Sequence, residues 1–411
     1  MISTVQQRSE YTFKANRSLG RHGWLRLTPA YGVKLVENLL SSVDKEAIIL
    51  DPFSGTATTG LVAAERGNQA FAFDINPFLI WLGNAKYRNY TEDCLLDIRE
   101  RVWQALREYK DQVDQDNWIP KIFNIERWWS SYTLKVIASL RTALVKQFGE
   151  PEENVEYSIV WITFCRLIIE TSSAAFNHVS MSFSDTVTDH KIECIEELFL
   201  SILEFMLKAA EKNILGSGKV LKVDSRNIIN LNNLSNLKVN KVITSPPYPN
   251  RISYIRELRP YMYWTKFIEE AKEAGELDWL AIGGTWGIAT SRLNSWTIKE
   301  ESLPDTIFST VEKIKMSEGK NSHLLAIYVL KYFHDMYLHL SSIRSILENG
   351  AELHYIVGNS TFFGNMVDTA SLLSDSMKVL GYSKIHSEIV RKRNCNKALY
   401  EYCVSARWSA S

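Results

Sequence analysis

Cysteine is scarce in this chain, and its spacing excludes the usual metal and disulfide frameworks. The 411 residues contain five cysteines, at positions 94, 165, 194, 395 and 403, and no Cys-x-x-Cys pair. Closely paired cysteines are typical of zinc sites and redox motifs. We therefore predict reduced thiols in a cytoplasmic protein that holds no metal.

Long apolar runs and a signal peptide are absent as well. No uncharged apolar stretch reaches the length of a membrane-spanning helix, about 20 residues, and the first residues, Met1 to Arg8, are mostly polar. Hydrophobic residues at 45% and charged residues at 23% describe an ordinary soluble protein. We expect no membrane partner.

A net charge of either sign is also missing. Lysine and arginine number 47, as do aspartate and glutamate, so the overall balance does not indicate a nucleic-acid partner. The local distribution does, because six basic residues between 238 and 266 face a single acid, Glu257. Residues 151–200 hold nine acids against Arg166 and Lys191, which is typical of a surface turned away from phosphate.

Small residues follow a short apolar run near the start of the chain. The pattern predicts a buried strand over Ile48–Leu50, a tight turn over Asp51–Ala57, and a helix that begins near Thr58. Small residues let a ligand approach the backbone, and the free N–H groups of a helix start favour a carboxylate or phosphate. No lysine follows the turn, so it is not the phosphate-binding loop that ends in Gly-Lys-Ser/Thr. A nucleoside with an attached amino acid fits better.

Two further predicted strands end on acidic residues. The strand Ala70–Phe73 ends on Asp74, about 20 residues after the turn, where an acid binds ribose hydroxyls in dinucleotide-binding folds. The strand Val220–Val223 ends on Asp224-Ser225. In open α/β sheets ligands bind at the carboxyl ends of the strands, so we predict a doubly wound, mostly parallel α/β sheet with its site at that edge. The alternative role for Asp74 and Asp224 is that of turn caps.

A fourth predicted strand, Val242-Ile243, runs into Thr244-Ser245-Pro246-Pro247-Tyr248. Neither proline can donate a ladder hydrogen bond, and each fixes φ near about −65°, so the chain leaves the sheet there. We call residues 245–248 the ledge. It offers a small hydroxyl, unpaired carbonyl oxygens and an aromatic face, which suits a planar heterocycle with an amino group. The alternative is a proline-stiffened turn without a ligand.

The turn residues Asp51–Thr56 and the segment Thr244–Tyr248 together resemble the two motifs of the DNA amino-methyltransferases, which use S-adenosylmethionine to methylate cytosine N4 or adenine N6. The resemblance covers residues 20–90, 218–265 and 322–408. It implies a seven-stranded Rossmann-like methyltransferase sheet, S-adenosylmethionine as the cofactor with S-adenosylhomocysteine as the product, and no metal. It also implies double-stranded DNA and a cognate restriction endonuclease as partners. The family turn usually has glycine where this chain has Ala57, and a methyl group there is tolerable if φ is negative.

The resemblance also assigns roles by position. Phe53 to Thr56 would line the methionine end of the cofactor, Asp74 would bind the ribose, and Asp224 would lie beside the adenine amino group. The segment Trp24–Tyr31 resembles the family motif that closes over the methionine, with a helix-entry turn as the alternative. The expected cofactor-binding residues are Thr28, Pro29, Tyr31, Asp51, Pro52, Phe53, Ser54, Gly55, Thr56, Ala57, Thr58, Asp74, Ile75, Asn76, Asp224 and Ser225. The expected catalytic residues are Ser245, Pro246, Pro247 and Tyr248.

Contacts with DNA are expected mainly after the ledge, where arginines alternate with aromatic residues, although a charge run is often only a solvated face. The expected DNA-binding residues are Asn250, Arg251, Tyr254, Arg256, Arg259, Lys392 and Arg393. The glycine-rich run Gly283–Gly287 is interpreted as a lid, with a plain connector as the alternative. Thr171–His178 is predicted as a loop toward DNA, in which His178 is structural rather than catalytic.

The target base is predicted from the first ledge residue. Serine there is commoner in the cytosine-N4 branch, which favours that target, although some adenine-N6 enzymes share it. The absence of any Pro-Cys dipeptide disfavours methylation at cytosine C5. An RNA amino-methyltransferase would normally carry an appended RNA-binding module, and none is evident. A catalytically silent DNA-binding regulator is a further alternative, supported only by Ala57.

A chain of this length is expected to hold one catalytic domain and a large insertion. We predict the catalytic domain over residues 1–91, 218–265 and 322–411, an inserted helical lobe for DNA recognition over 92–217, and a lid or recognition region over 266–321. In the last part we predict a helix over 324–347, a strand over 353–359, a helix over 366–380, and two strands near 385–389 and 399–405.

Overall fold

The structure of the protein is a computed structural model. It describes residues 7–25, 31–175, 182–231, 234, 236–284, 288–298, 303–393 and 399–409. Within these ranges seven strands form one sheet with the order β6-β7-β5-β4-β1-β2-β3. The strands are β1 (Ile48–Asp51), β2 (Gln69–Asp74), β3 (Ser217–Lys222), β4 (Val239–Thr244), β5 (Leu347–Gly358), β6 (Ser383–Lys392) and β7 (Tyr400–Arg407). The predicted seven-stranded α/β fold is confirmed.

The helices occupy the connections between these strands. Those in the first half of the chain are α1 (Phe13–Asn16), α2 (Val33–Leu40), α3 (Thr58–Glu65), α4 (Pro77–Tyr87), α5 (Glu92–Glu108), α6 (Ser131–Phe148), α7 (Ser158–Glu170) and α8 (Ile192–Ala210). Those in the second half are α9 (Tyr254–Trp264), α10 (Ala271–Leu280), α11 (Ile288–Leu293), α12 (Asp305–Lys315), α13 (Ser322–Ile343) and α14 (Thr369–Val379). Among the described helices, none has both the length and the apolar character needed to cross a membrane.

The sheet is parallel except at one end. Strand β1 lies inside the sheet and pairs in parallel with β2 on one side and with β4, the central strand, on the other. Strands β3 and β5 extend these pairs, also in parallel, and β7 is antiparallel to both β5 and β6. The chain therefore reverses its direction of travel across the sheet between β1 and β4, and ligands bind at such a switch point, at the carboxyl ends of the strands.

Both faces of the sheet are covered because successive residues of a strand point to opposite sides. Ile243 packs with Val36 of α2 on one face. Its neighbour Val242 packs with Val329 of α13 on the other. A sheet buried on both faces requires nearly continuous apolar strands, and β4 has this character in Val242-Ile243.

Helices α5 to α8 lie in the segment predicted as an inserted lobe, and they share one core with α4 and α9. Trp129 and Trp161 are fully buried there, next to Phe78 of α4 and Trp264 of α9. The indole rings of Trp129 and Trp264 meet edge to face with centroids 5.8 Å apart. The helical segment therefore packs directly behind the helix that follows the ledge.

Several boundaries differ from the sequence-based ones. The helix predicted over 366–380 begins at Thr369, because Asn365–Val367 pairs with Ser360–Phe362 as an antiparallel hairpin. In the region predicted as a loop toward DNA, Ala174–Ala175 pairs with Ser182–Phe183. His178 lies outside the described residues, as do Thr28, Pro29 and residues 285–287 of the predicted lid.

Candidate active site

A cavity opens at the carboxyl ends of the central strands and contains residues from both sequence motifs. Its space between atoms amounts to about 940 Å³, the open mouth included. Among the residues predicted to bind the cofactor, those that line it are Tyr31, Pro52, Phe53, Ser54, Gly55, Thr56, Thr58, Asp74, Ile75, Asn76, Asp224 and Ser225. Ser245 and Pro247 of the ledge line the same cavity.

The turn after β1 is held in place by the next strand. The N–H of Ser54 donates to the carbonyl of Phe73 at 2.9 Å, and the N–H of Gly55 donates to the Asp74 carboxylate at 3.1 Å. Gly55 has φ 49°, a conformation that glycine adopts without a steric penalty. The strand end that supplies Asp74 therefore also shapes the turn beside it.

Ala57, which stands where the family usually has glycine, has a left-handed backbone conformation. It is the N-terminal cap residue of α3 with φ 63° and ψ 31°, and its side chain is fully buried. A left-handed conformation costs an L-residue about 1–2 kcal/mol, which explains why glycine is usual in the family at this position. The condition under which a methyl group at this position would be tolerated without strain, a negative φ, is therefore not met.

Asp51 lies beneath the turn and is not exposed to the cavity. Its carboxylate accepts hydrogen bonds from the Thr244 hydroxyl at 2.6 Å, the Phe53 N–H at 3.1 Å and the Tyr31 hydroxyl at 3.2 Å. Burial raises the pKa of Asp51 to about 7, against these hydrogen bonds, which lower it. The structure thus places Asp51 where it connects the two motifs, and Tyr31 reaches it from the segment predicted to close the site.

Asp74 faces the cavity from the end of β2. Besides the Gly55 N–H, it accepts a hydrogen bond from the N–H of Asn76 at 2.9 Å. Burial is the main influence on the Asp74 carboxyl and raises its pKa to about 6. Each carboxylate oxygen accepts two or more hydrogen bonds, so both retain capacity for hydroxyl donors. Asn76 itself caps α4 through its side chain, which accepts from the Phe78 N–H at 3.0 Å.

Asp224, at the end of β3, is held by an arginine that the sequence reading missed. Its carboxylate accepts from Nη2 of Arg226 at 2.7 Å and from Nε at 2.9 Å. The same guanidinium contacts Asp335 of α13 at 3.2 Å and donates to the carbonyl of Leu280 at 2.7 Å. Arg226 therefore connects Asp224 and Leu280, which line the cavity, to α13 behind them.

The ledge leaves the sheet as predicted, and its residues occupy different environments. Ser245 and Pro247 line the cavity, whereas Tyr248 does not and is 9% exposed. The hydroxyl of Ser245 donates to the Tyr248 hydroxyl at 3.2 Å, and the Pro247 carbonyl accepts from the Tyr332 hydroxyl at 2.8 Å. The ledge is thus supported from below by Tyr332.

Tyr254, predicted to contact DNA, lines the cavity instead of the outer surface. Its hydroxyl accepts a hydrogen bond from the N–H of Tyr248 at 3.2 Å, and burial raises the pKa of Tyr254 to about 12. Two tyrosines therefore meet at the ledge. Tyr248 is the last residue of the ledge itself, and Tyr254 lies on the wall of the cavity.

The positive charge predicted around the ledge is partly neutralised by distant acids. Lys241 is buried at the start of β4 and pairs with Glu352 at 3.2 Å, and Lys266 pairs with Glu150 at 2.6 Å. A count of charges along the sequence could not detect these partners, which come from other segments. Burial, and then the charge of nearby Arg259, lower the pKa of Arg256, so these two arginines lie near each other.

The remaining predicted DNA-binding residues gather from two distant parts of the chain. Asn250 and Arg251 line a groove beside the ledge, and so does Arg393, which follows β6. Lys392 is the last residue of β6.

Two further residues near the cavity were missed by the sequence analysis. Lys86 is fully buried in α4, donates to the Thr56 carbonyl at 2.9 Å, and has a pKa lowered to about 7, first by burial. His339 of α13 lies edge-on to Phe53, with ring centroids 4.8 Å apart, and hydrogen-bonds the Tyr355 hydroxyl at 2.7 Å. The one available signal was a lysine within a mostly apolar segment, Phe78–Tyr87.

Comparison with known families gives a match over part of the chain. The model of the D12 class N6 adenine-specific DNA methyltransferases matches residues 33–157. This span includes the turn after β1 and Asp74, and it ends before the ledge. It supports the amino-methyltransferase family, and it does not support the cytosine-N4 branch favoured from Ser245.

Curated relatives of low identity are Type II methyltransferases. The Type II methyltransferase M.BsoBI of Geobacillus stearothermophilus is 21% identical over 270 residues, which cover 60% of this chain and 52% of that protein. The chain therefore spans about half the length of M.BsoBI. The Type II methyltransferases M.AvaI of Nostoc sp. and of Anabaena variabilis are each 22% identical over 90% of this chain and 81% of theirs.

A solved structure, an rRNA methyltransferase (aviRa) from Streptomyces viridochromogenes, aligns over 93% of this chain and 89% of its own, at 11% identity and a TM-score of 0.31. A likeness this low adds nothing to the assignment.

Proposed function

We propose that this chain is an S-adenosylmethionine-dependent methyltransferase that acts on an exocyclic amino group of a base in duplex DNA, as part of a Type II restriction-modification system. The observation that carries the proposal is the shared cavity. Gly55 and Asp74 lie on one wall of it, and Ser245 and Pro247 of the ledge on another. A cofactor on the first wall and a base on the second would therefore face each other.

The residues of the cavity fit the proposed cofactor. The hydroxyl of Ser54 is buried and has no hydrogen-bond partner among the described residues, which fits a wall completed by a polar ligand. Helix α3 has no side-chain cap at its start, so its first N–H groups favour a carboxylate such as that of methionine. Asp74 suits the ribose hydroxyls, and Asp224 suits the adenine amino group.

When bound, S-adenosylmethionine supplies an electrophilic methyl group, and the chain's residues would orient the acceptor. The amino group of a base is a poor nucleophile because its lone pair is delocalised into the ring. The Ser245 hydroxyl donates to Tyr248, which leaves its lone pairs able to accept the amino hydrogens. The Pro246 carbonyl is the second candidate acceptor. Holding reactants in a near-attack geometry supplies roughly 7–11 kcal/mol of barrier reduction.

A base within a duplex cannot reach this cavity, so the target nucleotide must be flipped out, at a cost of about a few kcal/mol. Tyr248 and Tyr254 supply aromatic surface at the ledge for the flipped base, and of the two rings it is Tyr254 that lines the cavity. The guanidinium of Arg393 lies 5.7 Å from the centre of the Tyr248 ring. For a base to stack on Tyr248, Arg393 would have to move away or cover the opposite face of the ring.

Adenine N6 is the target that we propose first, because the matching family model describes adenine-N6 enzymes. Cytosine N4 is the second candidate, and Ser245 at the first ledge position is the observation that favours it. The two arguments rest on different parts of the chain, since the family match ends at residue 157, before the ledge. The chemistry of the amino group is the same in both cases.

The test is direct identification of the product. The purified protein would be incubated with radiolabelled S-adenosylmethionine and, in parallel reactions, duplex DNA or RNA, and the digested nucleosides would be separated by chromatography and identified by mass spectrometry. N6-methyladenine supports the first candidate, N4-methylcytosine the second, and label in RNA alone refutes the DNA assignment. A protein that binds the cofactor and DNA without transfer would be a regulator. Sequencing modified DNA from cells that express the chain would reveal the recognition site.

A further inference from the structure

The groove beside the ledge has the properties of an anion site. Its walls include Asn250 and Arg251 on one side, Ser360 and Phe363 of the Ser360–Val367 hairpin on another, and Arg393 after β6. No acidic residue lines it among the described residues. We propose that this groove binds a phosphodiester of the DNA strand next to the target nucleotide. The inference rests on the proposed function, and adds the phosphate site and the hairpin that helps to form it.

Arg251 is held in an unusual conformation at the mouth of the groove. Its φ is 62°, which costs an L-residue about 1–2 kcal/mol, and its N–H donates to the Tyr328 hydroxyl at 3.2 Å. Its side chain is exposed and forms no ion pair with a described acid. Backbone strain of this kind gathers at ligand sites. The fold therefore presents an unpaired guanidinium immediately after the ledge.

Arg393 connects the groove to the ledge itself. Its guanidinium donates to the Asn359 carbonyl at 3.1 Å and lies over the ring of Tyr248, 5.7 Å from its centre. It also has no described acidic partner. The Tyr248 ring and the Arg393 guanidinium both lie close to Gly358, because a Cβ added there would come within 2.9 Å of the ring and 3.2 Å of Nη1 of Arg393. An anion bound by Arg393 would thus fix the side chain that covers Tyr248.

Ser360 supplies an independent observation. Its side chain is 5% exposed and lines the groove, yet its hydroxyl has no hydrogen-bond partner among the described residues. Buried hydroxyl groups are nearly always paired, so this one is expected to meet a ligand. A hydroxyl and two guanidinium groups that line one groove match a phosphate, because serine and arginine both donate to phosphate oxygens in DNA complexes.

The phosphate must belong to the strand that carries the flipped base. The groove lies next to the ledge that is proposed to hold the base, so the linkage beside that nucleotide would reach it first. Such contacts position the nucleic acid and carry no sequence information. The groove would therefore raise affinity for all duplexes and the methylation rate at the target site.

The experiment compares Arg251→Ala, Arg393→Ala and their double variant with Lys45→Ala, which removes an exposed charge before β1, at the opposite edge of the sheet. Binding of a fluorescent duplex of arbitrary sequence would be measured by anisotropy over a range of salt concentrations. Each groove variant is expected to weaken binding about tenfold and to reduce the salt slope by about 0.9 per lost contact. Lys45→Ala is expected to leave both unchanged, and Arg393→Lys to recover most of the affinity. Ser360→Ala is expected to weaken binding about fivefold.

A second arm locates the phosphate. A duplex with the mapped target site would carry one uncharged methylphosphonate linkage next to the target nucleotide. Wild-type methylation is expected to slow about tenfold on this substrate, whereas the groove double variant, already deprived of the contact, should lose nothing further. Independent, additive losses would overturn the assignment. So would an unchanged salt slope in a double variant that melts normally and still binds S-adenosylhomocysteine.

Failure of the proposed function is distinguishable from failure of this inference. If the wild-type protein transfers no methyl group to DNA, the proposed function is refuted, and the salt slope of the arbitrary duplex still decides the groove. If methylation proceeds and the groove variants bind DNA as well as wild type, the function stands and the groove is wrong.

Discussion

The hydroxyl of Thr244 donates to the carboxylate of Asp51 at 2.6 Å, although 193 residues separate them in the sequence. Asp51 ends β1, which leads into the cofactor turn, and Thr244 ends β4, which leads into the ledge. The bond fixes the two strand ends against each other. The relative position of the two proposed ligand walls therefore depends on a buried carboxyl that neither ligand would touch.

Replacement of Asp51 is expected to make stability less dependent on pH. Burial raises the folded-state pKa of Asp51 to about 7, above the unfolded value of about 3.9, so the folded state binds more protons between these values. The contribution of Asp51 to the free energy of unfolding of the wild-type protein therefore falls as the pH rises from about 4 to about 7. Asp51→Asn retains an acceptor for Thr244 and removes the buried charge.

The melting temperature of Asp51→Asn should thus rise relative to that of the wild type as the pH increases from about 5 to about 8. Parallel thermal scans of both proteins across this range would measure the difference. A shift in favour of wild type would show that the ionised carboxylate is stabilised by its donors more than burial opposes it.

Cofactor affinity is expected to fall in acid because of Asp74. Burial raises its pKa to about 6, and protonation removes an acceptor from the proposed ribose site. Wild-type affinity for S-adenosylhomocysteine should therefore decline below pH 6, by at most about tenfold per pH unit. Asp74→Ala should cost about 1.5–3 kcal/mol of binding at neutral pH and flatten the profile. Calorimetric titrations would decide, and equal affinity in both proteins would leave Asp74 as a turn cap.

Ser245→Ala tests the ledge with little structural disturbance. The variant loses the hydroxyl proposed to accept the amino hydrogens, so methylation should slow roughly tenfold to a hundredfold, equivalent to about 1.4–2.8 kcal/mol of barrier. The affinity for S-adenosylhomocysteine should not change. Tyr248→Phe is the matched variant, because it removes only the other hydroxyl of the pair and keeps the buried ring. A wild-type rate in Ser245→Ala would exclude this acceptor role.

Ala57→Gly should be nearly neutral for stability. The variant relieves a left-handed alanine, worth about 1–2 kcal/mol, and loses a buried methyl group, worth about 0.8 kcal/mol. Ala63→Gly provides the comparison, since Ala63 is equally buried within α3 and gains no such relief. We expect that control to lose about 1.5–2 kcal/mol of unfolding free energy. Urea unfolding of both variants measures the contrast, and equal losses would contradict the strained conformation of Ala57.

The fold class, the turn after β1 and the ledge could be predicted from the amino-acid sequence, because they depend on local rules. Strand lengths, small residues at the turn and the prolines of the ledge act within a few residues, so β1, the start of α3 at Thr58 and the departure of the chain at Ser245 were predictable. The number of strands and their mostly parallel arrangement followed from the resemblance carried by these motifs, and the order of the strands came from the structure. The target base was not determined in this way, since a single serine at the ledge occurs in enzymes for either base.

Only the tertiary structure decided which residues meet across long separations. It paired Lys241 with Glu352 and Lys266 with Glu150, which removed charges that the sequence had assigned to the ledge. It brought Arg251 and Arg393 to one groove and placed Arg226 between Asp224 and Asp335. Ion pairs and cavity walls depend on distances through space. The order of charges along the sequence does not contain those distances, because they are set only when the sheet forms.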